Sequence, residues 1–248
     1  MCVRTRSAKL LAIQSEYQIM RQRREELPLF KKLPYTFDTE KILQDFELLE
    51  DTTVDGKSVF FDDLTIKGGY GDVVGSKAPT LERAFSIGQY TEYIAGMTKG
   101  HYKQVGVTEF NKDSVDIDYA KKIGSRPDER HYNKLKPQLS GTYLESVLNT
   151  FIAEKSRCRI AIMHPGGSIK PHIDYNTDYA VRYHIPLKTN SECGFKNTDK
   201  QGNSKECFMD IGECWFLNQG FKHSAWNNGD TERWHLIVSC LTQEDLHV

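Results

Sequence analysis

The segment His172-Ile-Asp174, with His223 and Arg233 further along, holds the residue types best suited to chemistry in this chain. Two imidazoles and one carboxylate are a ligand set for a divalent metal that leaves coordination positions open. The set suits non-haem Fe(II), and by itself would also take zinc or manganese. Asp174 lies two residues after His172, so on an extended strand both side chains point to one face. Pro171 fixes the backbone where that segment begins. His223 must arrive from a distant strand or turn, as when a β-fold gathers ligands remote in sequence. Arg233 opens the apolar run 234–240. A guanidinium at a strand start can hold a carboxylate through two parallel hydrogen bonds.

H-x-D alone is a common pattern, and a single histidine is more often a satisfied polar residue than a ligand. Here five of the eight histidines (164, 172, 184, 223 and 235) fall in one strand-rich stretch, which argues for a metal site. Arg182 and His184 are two apart in the run 180–187 and share a face. Arg159, Ala161 and Met163 share a face of another candidate strand. Buried cations are costly unless paired. An acidic ligand is one partner for these arginines, and an internal salt bridge is the other.

These residues need strands to hold them. From Arg157 onward short apolar runs (157–163, 180–187, 206–211, 213–217 and 233–241) alternate with turn signals at Pro165-Gly-Gly167, 190–194, Gly202-Asn203 and Asn227-Asn-Gly229. That texture predicts a mainly β fold, a sandwich or jelly roll, with flanking helices. Upstream, apolar spacing predicts helices over 5–26, 39–49, 80–98 and 139–153. Residues 64–78 read as a loop, and Gly68-Gly-Tyr-Gly71 lacks the lysine and helix start of a phosphate loop. The charged stretch 112–137 reads as a loop over a site or a solvated surface. Residues 1–150 are expected to form a helical or mixed support region of the same domain, and 151–248 the jelly-roll catalytic core.

Composition narrows the function. Lys plus Arg total 33 and Asp plus Glu 34, for a net charge of -1, without the basic excess of a nucleic-acid footprint. No window approaches the roughly 18 apolar residues of a membrane span, and the basic N-terminus lacks the apolar core of a signal peptide. None of the six cysteines forms a C-x-x-C pair, which argues against a zinc ribbon or thioredoxin-like site. They read as reduced thiols of a cytoplasmic protein.

The run Ile162-Met-His-Pro-Gly166, then Pro171-His172, Arg182-Tyr-His184, His223-Ser-Ala-Trp-Asn227 and Arg233 resembles the aspartyl/asparaginyl β-hydroxylase family, which also contains free-proline hydroxylases. The likeness spans about residues 155–241. It implies a double-stranded β-helix core (jelly roll, cupin-like) and Fe(II), 2-oxoglutarate and O2 as cofactor and co-substrates. Carried over by position, His172, Asp174 and His223 would be the metal ligands. Arg233 would hold the distal carboxylate of 2-oxoglutarate, with His184 near its other end and Arg182 near the co-substrate and substrate carboxylates. Ala161 departs from the pattern, because some members carry a serine there that helps hold the co-substrate; Arg159 could partly compensate or face the substrate. Trp215, Phe216 and Trp226 are candidates to exclude water.

The leading expectation is therefore a dioxygenase that hydroxylates an amino acid, a small amino-acid derivative or an Asp/Asn/Pro-like peptidyl residue, releasing succinate and CO2. Arg159 and Arg182, with Arg130 beside them, are candidates to hold a substrate carboxylate. The alternatives are a non-catalytic cupin-like metal-binding protein and a zinc or manganese hydrolase or isomerase on the same barrel. The partner expected is a small molecule or peptide, with neither nucleic acid nor membrane.

Overall fold

The computed structural model describes residues 21–50, 53–54, 57–58, 102–109, 111, 113 and 129–248. The loop expected over 64–78, the helix over 80–98 and most of the helix over 5–26 lie outside these residues. Two antiparallel sheets make the core. The larger has the order β1-β12-β9-β14-β7-β4, from Phe30–Thr36 (β1), Glu213–Leu217 (β12), Val181–Lys188 (β9), Arg233–Cys240 (β14), Arg159–Met163 (β7) and Tyr102–Gly106 (β4). The smaller has the order β11-β10-β13-β8, from Ser204–Cys207 (β11), Cys193–Thr198 (β10), Lys222–Asn227 (β13) and Ser168–His172 (β8). This mainly β architecture is the expected double-stranded β-helix with flanking helices. Two short two-stranded pairs complete it, Thr53–Val54 (β2) with Lys57–Ser58 (β3) and Thr108–Glu109 (β5) with Lys134–Leu135 (β6).

Both edges of the larger sheet come from the N-terminal part of the chain. β1 pairs with β12 and β4 with β7. Pro34 is tolerated in β1 because an edge strand does not need every N–H for the ladder. Two α-helices, Thr39–Glu50 (α1) and Tyr143–Thr150 (α2), pack on the outer face. Ile42, Phe46 and Leu49 recur at helical spacing and are buried, as are Leu144, Val147 and Leu148. The Thr142 hydroxyl caps α2 by accepting from the Glu145 N–H.

The period of two along each strand separates core from chemistry. Ile160 and Ile162, Val181, Tyr183, Ile185 and Leu187, and Leu236, Val238 and Cys240 join the helices in one apolar cluster. Their alternate neighbours, Arg159, Ala161, Met163, Arg182, His184, Arg233 and His235, share the opposite, inner face. A second, smaller cluster of Met163, Phe195, Cys207, Met209, Leu217 and Ala225 fills part of the space between the sheets.

The start of the described chain departs from the expected helix. Residues 21–26 hold only a 3-10 turn, Arg24–Glu26. Their backbone groups bond elsewhere: the Gln22 N–H donates to Gln243 Oε1 and the Arg24 N–H to Asn176 Oδ1. Of the charged stretch 112–137, the described part contains the 3-10 turn Glu129–His131 and β6.

Candidate metal centre

β8 ends on His172, and β13 begins one residue before His223. These two histidines are direct cross-strand partners, with ring centroids 4.3 Å apart. Asp174 follows β8 by two residues, and its N–H donates to the Gln219 carbonyl at 3.1 Å. One ligand atom each from His172, Asp174 and His223 can be chosen so that all lie within 4.8 Å of one another. His172 Nε2 is 3.6 Å from Asp174 Oδ1, and His223 Nε2 is 3.9 Å from Asp174 Oδ2.

The tautomers are set from behind. His172 Nδ1 lies 2.8 Å from the Lys170 carbonyl and His223 Nδ1 2.9 Å from the Phe221 carbonyl. A carbonyl only accepts, so each Nδ1 carries the proton. Each Nε2 then presents a lone pair toward Asp174, the arrangement expected of metal-binding imidazoles.

Burial alone would raise the Asp174 carboxyl, but Arg182, then His223, His172 and Arg159, hold it down at about 2. Arg182 Nη1 donates directly to Asp174 Oδ2. Burial lowers His223 to about 4 against the pull of Asp174. At neutral pH Asp174 is thus ionised and His223 neutral, the states in which they bind a divalent cation.

Beside the triad, the inner face forms a cationic recess. Arg233 is only 4% exposed and lies with Cζ 4.3 Å from the Phe195 ring centroid. His184 and His235 edge onto the same ring. Burial, then the charge of Arg233, pushes both histidines well below their ordinary value. Neither ring nitrogen of His184 has a hydrogen-bond partner among the described residues. A buried neutral donor next to a buried guanidinium fits a small dicarboxylate ligand. Arg159 is held by the Arg157 carbonyl and Ser239 Oγ and lies near enough to act on both Asp174 and His184.

The structure thus brings His172, Asp174, His223, Arg182, His184, Arg159 and Arg233 around one interior. Arg130 stands at the end of a stack: it lies over Tyr179, which packs on Tyr175, which Arg182 covers in turn. Of the aromatic residues expected to exclude water, Phe216 belongs to the helix-side core instead. Trp226 covers Gly194 and meets Phe208 on the outside of the smaller sheet. Trp215 packs against the inner cluster. From sequence, His235 counts only among the clustered histidines, although it stands two residues after Arg233 and the strand period puts it on the same face. Sequence reasoning missed Gln219, whose glutamine side chain gave no signal.

Residues 129–242 match the family model described as Aspartyl/Asparaginyl beta-hydroxylase. Over these residues the chain is similar to an aspartyl/asparaginyl β-hydroxylase domain. The matched segment, somewhat under half of the chain, holds His172, Asp174, His223 and Arg233. No curated protein matches the chain significantly. Among solved structures, similarity extends to a 2OG-Fe(II) oxygenase family oxidoreductase from Burkholderia pseudomallei, at 15% identity over 64% of this chain and 78% of that one, TM-score 0.38. It also extends to a predicted oxalate decarboxylase from Thermotoga maritima, at 16% identity over 61% and 91%, TM-score 0.32. A Pseudomonas putida prolyl-4-hydroxylase is similar at 16% identity over 35% and 51%, TM-score 0.28. At these scores the structural likenesses carry no functional argument. Among the described residues no helix is long and apolar enough to cross a membrane.

Proposed function

We propose that this protein hydroxylates an amino acid, a small amino-acid derivative or an Asp/Asn/Pro-like peptidyl residue. The observation that carries the reading is the convergence of His172, Asp174 and His223 next to the buried Arg233–His184 recess. His172, Asp174 and His223 would hold Fe(II). Arg233 would grip the distal carboxylate of 2-oxoglutarate, with His184 near its other end and Arg182 near the co-substrate and substrate carboxylates. Bound there, iron and 2-oxoglutarate would consume O2, release succinate and CO2, and place one oxygen atom in a substrate C–H bond.

The chain's own residues supply binding, orientation and charge. The Lys170 and Phe221 carbonyls keep the imidazoles aimed. Arg182 keeps Asp174 ionised. Arg159, placed between the triad and His184, is suited to a substrate carboxylate, and Arg182 could share that task. Residues 1–150 would support the 151–248 core within a single domain, a reading favoured by the pairing of β1 and β4 into the larger sheet. The five described cysteines are free and buried, in keeping with a reducing, cytoplasmic setting.

The test is anaerobic difference spectroscopy of the apo-protein with Fe(II) and 2-oxoglutarate, with Asp174→Ala as control. A visible charge-transfer band that needs both additions, followed by succinate release with amino-acid substrates, is the expected result. Tight metal binding without that band would favour a hydrolase or a metal-binding module. His172→Ala and His223→Ala should each lose metal and turnover, and full activity in His223→Ala would sink the ligand assignment.

A further inference from the structure

Metal binding at this centre needs Asp174 and His223 held at a fixed separation, yet each is delivered by a loop. Asp174 lies in 173–180, between β8 and β9. His223 follows 218–221, between β12 and β13. Residues 21–29 touch both loops. Thr177 Oγ1 donates to the Gln22 carbonyl at 2.9 Å, and Gln243 Nε2 donates to the carbonyls of both Gln22 and Thr177 at 2.7 and 2.6 Å. On the other side, the Asn218 N–H donates to the Leu29 carbonyl at 3.1 Å. Thr177, Asn218 and Gln243 are all fully or almost fully buried.

Arg24 stands where the two sets meet. Its N–H donates to Asn176 Oδ1 at 3.0 Å, in the loop of Asp174. Its carbonyl accepts from Asn218 Nδ2 at 3.0 Å, in the loop before His223. Its guanidinium donates through Nη1 to the Gly220 carbonyl and lies 5.5 Å from the Phe221 ring centroid. The Phe221 carbonyl is the group that orients the His223 ring. Gly220 makes the approach possible: a Cβ there would lie 2.9 Å from Arg24 Cβ and 3.0 Å from Arg24 Cδ.

We propose that Arg24 is a positioning residue for the metal centre. Its backbone ties the loop bearing Asp174 to the loop before His223. Its guanidinium fixes the Gly220–Phe221 turn that aims the His223 ring against that tie, and the side chain so sets how tightly the metal is held. This rests on the metal-triad reading given above. Without the Arg24 side chain the strands and Gln219 still bring the ligands together, but over a wider range of separations. The loss therefore falls on metal affinity and leaves the recess that Arg233 forms over Phe195 unchanged. Groups that orient metal ligands from behind are worth on the order of 10- to 100-fold in affinity.

The test is anaerobic calorimetric titration of the full chain with Mn(II), comparing wild type, Arg24→Ala, Arg24→Lys and Gly220→Ala, with His172→Ala as the reference for lost binding. Arg24→Ala should weaken Mn(II) about tenfold or more. Gly220→Ala should do the same by displacing the guanidinium, and Arg24→Lys should recover part of the loss because an ammonium can still reach the Gly220 carbonyl. With metal saturating, the 2-oxoglutarate concentration for half-maximal succinate release should stay within about twofold of wild type, a split that general loosening would not produce. Unchanged Mn(II) affinity in Arg24→Ala and Gly220→Ala overturns the proposal, as does a 2-oxoglutarate requirement that rises in step with the metal constant. If Arg24→Ala fails to fold, Gly220→Ala and Arg24→Lys decide. Wild-type protein that binds no Mn(II) overturns the metal reading and this proposal together, whereas wild-type binding with unaffected variants overturns the positioning role alone.

Discussion

Arg182 and Asp174 form a part-buried ion pair in which the cation touches the same carboxylate that completes the metal triad. The pair keeps Asp174 ionised inside the fold, where burial would otherwise favour the neutral acid. In Arg182→Ala, burial should push the carboxyl back up by roughly one to three pH units. A proton then competes with the metal at a higher pH. The acid limb of Mn(II) binding, measured by titration between pH 4 and 7, should move upward by about one unit or more. An unmoved limb would show that Arg182 does not govern Asp174.

On the proposed reading Arg233 and the triad would answer to different ligands. Arg233→Ala should leave Mn(II) affinity near the wild-type value and raise the 2-oxoglutarate requirement about 30-fold or more, the scale of losing one partner of a buried charged pair. Succinate release against 2-oxoglutarate concentration measures this. Loss of metal binding in Arg233→Ala would instead make it part of the framework of the centre.

His184 and His235 make the apo-protein acid-sensitive. Burial, then Arg233, holds both well below the ordinary histidine value. The unfolded chain therefore binds protons that the folded chain refuses. Their contribution is intact above about pH 6.5 and is lost as pH falls below it, at up to about 1.4 kcal/mol per pH unit for each histidine. Urea midpoints of metal-free protein should fall between pH 7.5 and 5.5. Midpoints that hold level over that range would contradict the buried neutral state.

Asp245 is a buried carboxylate that accepts from the Ile152 and Ala153 N–H groups at 2.8 and 3.0 Å and from Tyr35 Oη at 3.3 Å. It ties the exit of α2 to β1. Asp245→Ala leaves those backbone donors buried without their acceptor and should cost about 2–4 kcal/mol, read as a lower denaturation midpoint. Asp245→Asn, which keeps one acceptor, should lose less.

What could be read from the sequence depended on what each segment faces. The apolar strand 213–217 and the helix over 39–49 are observed as Glu213–Leu217 and Thr39–Glu50, because burial on one side left a clear period. Strands at Ser168–His172, Cys193–Thr198 and Lys222–Asn227 were not legible. They form the smaller sheet, whose outer face is largely polar and whose inner face carries ligands and asparagine, so hydrophobic alternation is weak. Gly194 reads as a turn residue, yet it lies within a strand where Trp226 covers it and leaves no room for a Cβ. β1 was hidden by Pro34, an edge-strand residue. The triad and Arg233 were legible because ligand chemistry restricts residue type. Gln219 was not, since its carbonyl does a task that any residue's backbone could do, and Arg24 was not, since its guanidinium meets a backbone carbonyl and a ring remote in sequence.

The pairing of β1 with β12 has a consequence for when the centre can exist. Phe30 must meet Leu217, and Arg24 must meet Asn176 and Asn218, so residues 24–30 of the nascent chain wait for partners far downstream. Contacts so remote in sequence form slowly. The ligand loops cannot be braced until β12 and the loop after it have been made, so metal capture waits for them, and a ribosome-stalled fragment ending before β12 would be a chain with His172 and Asp174 but nowhere to keep a metal.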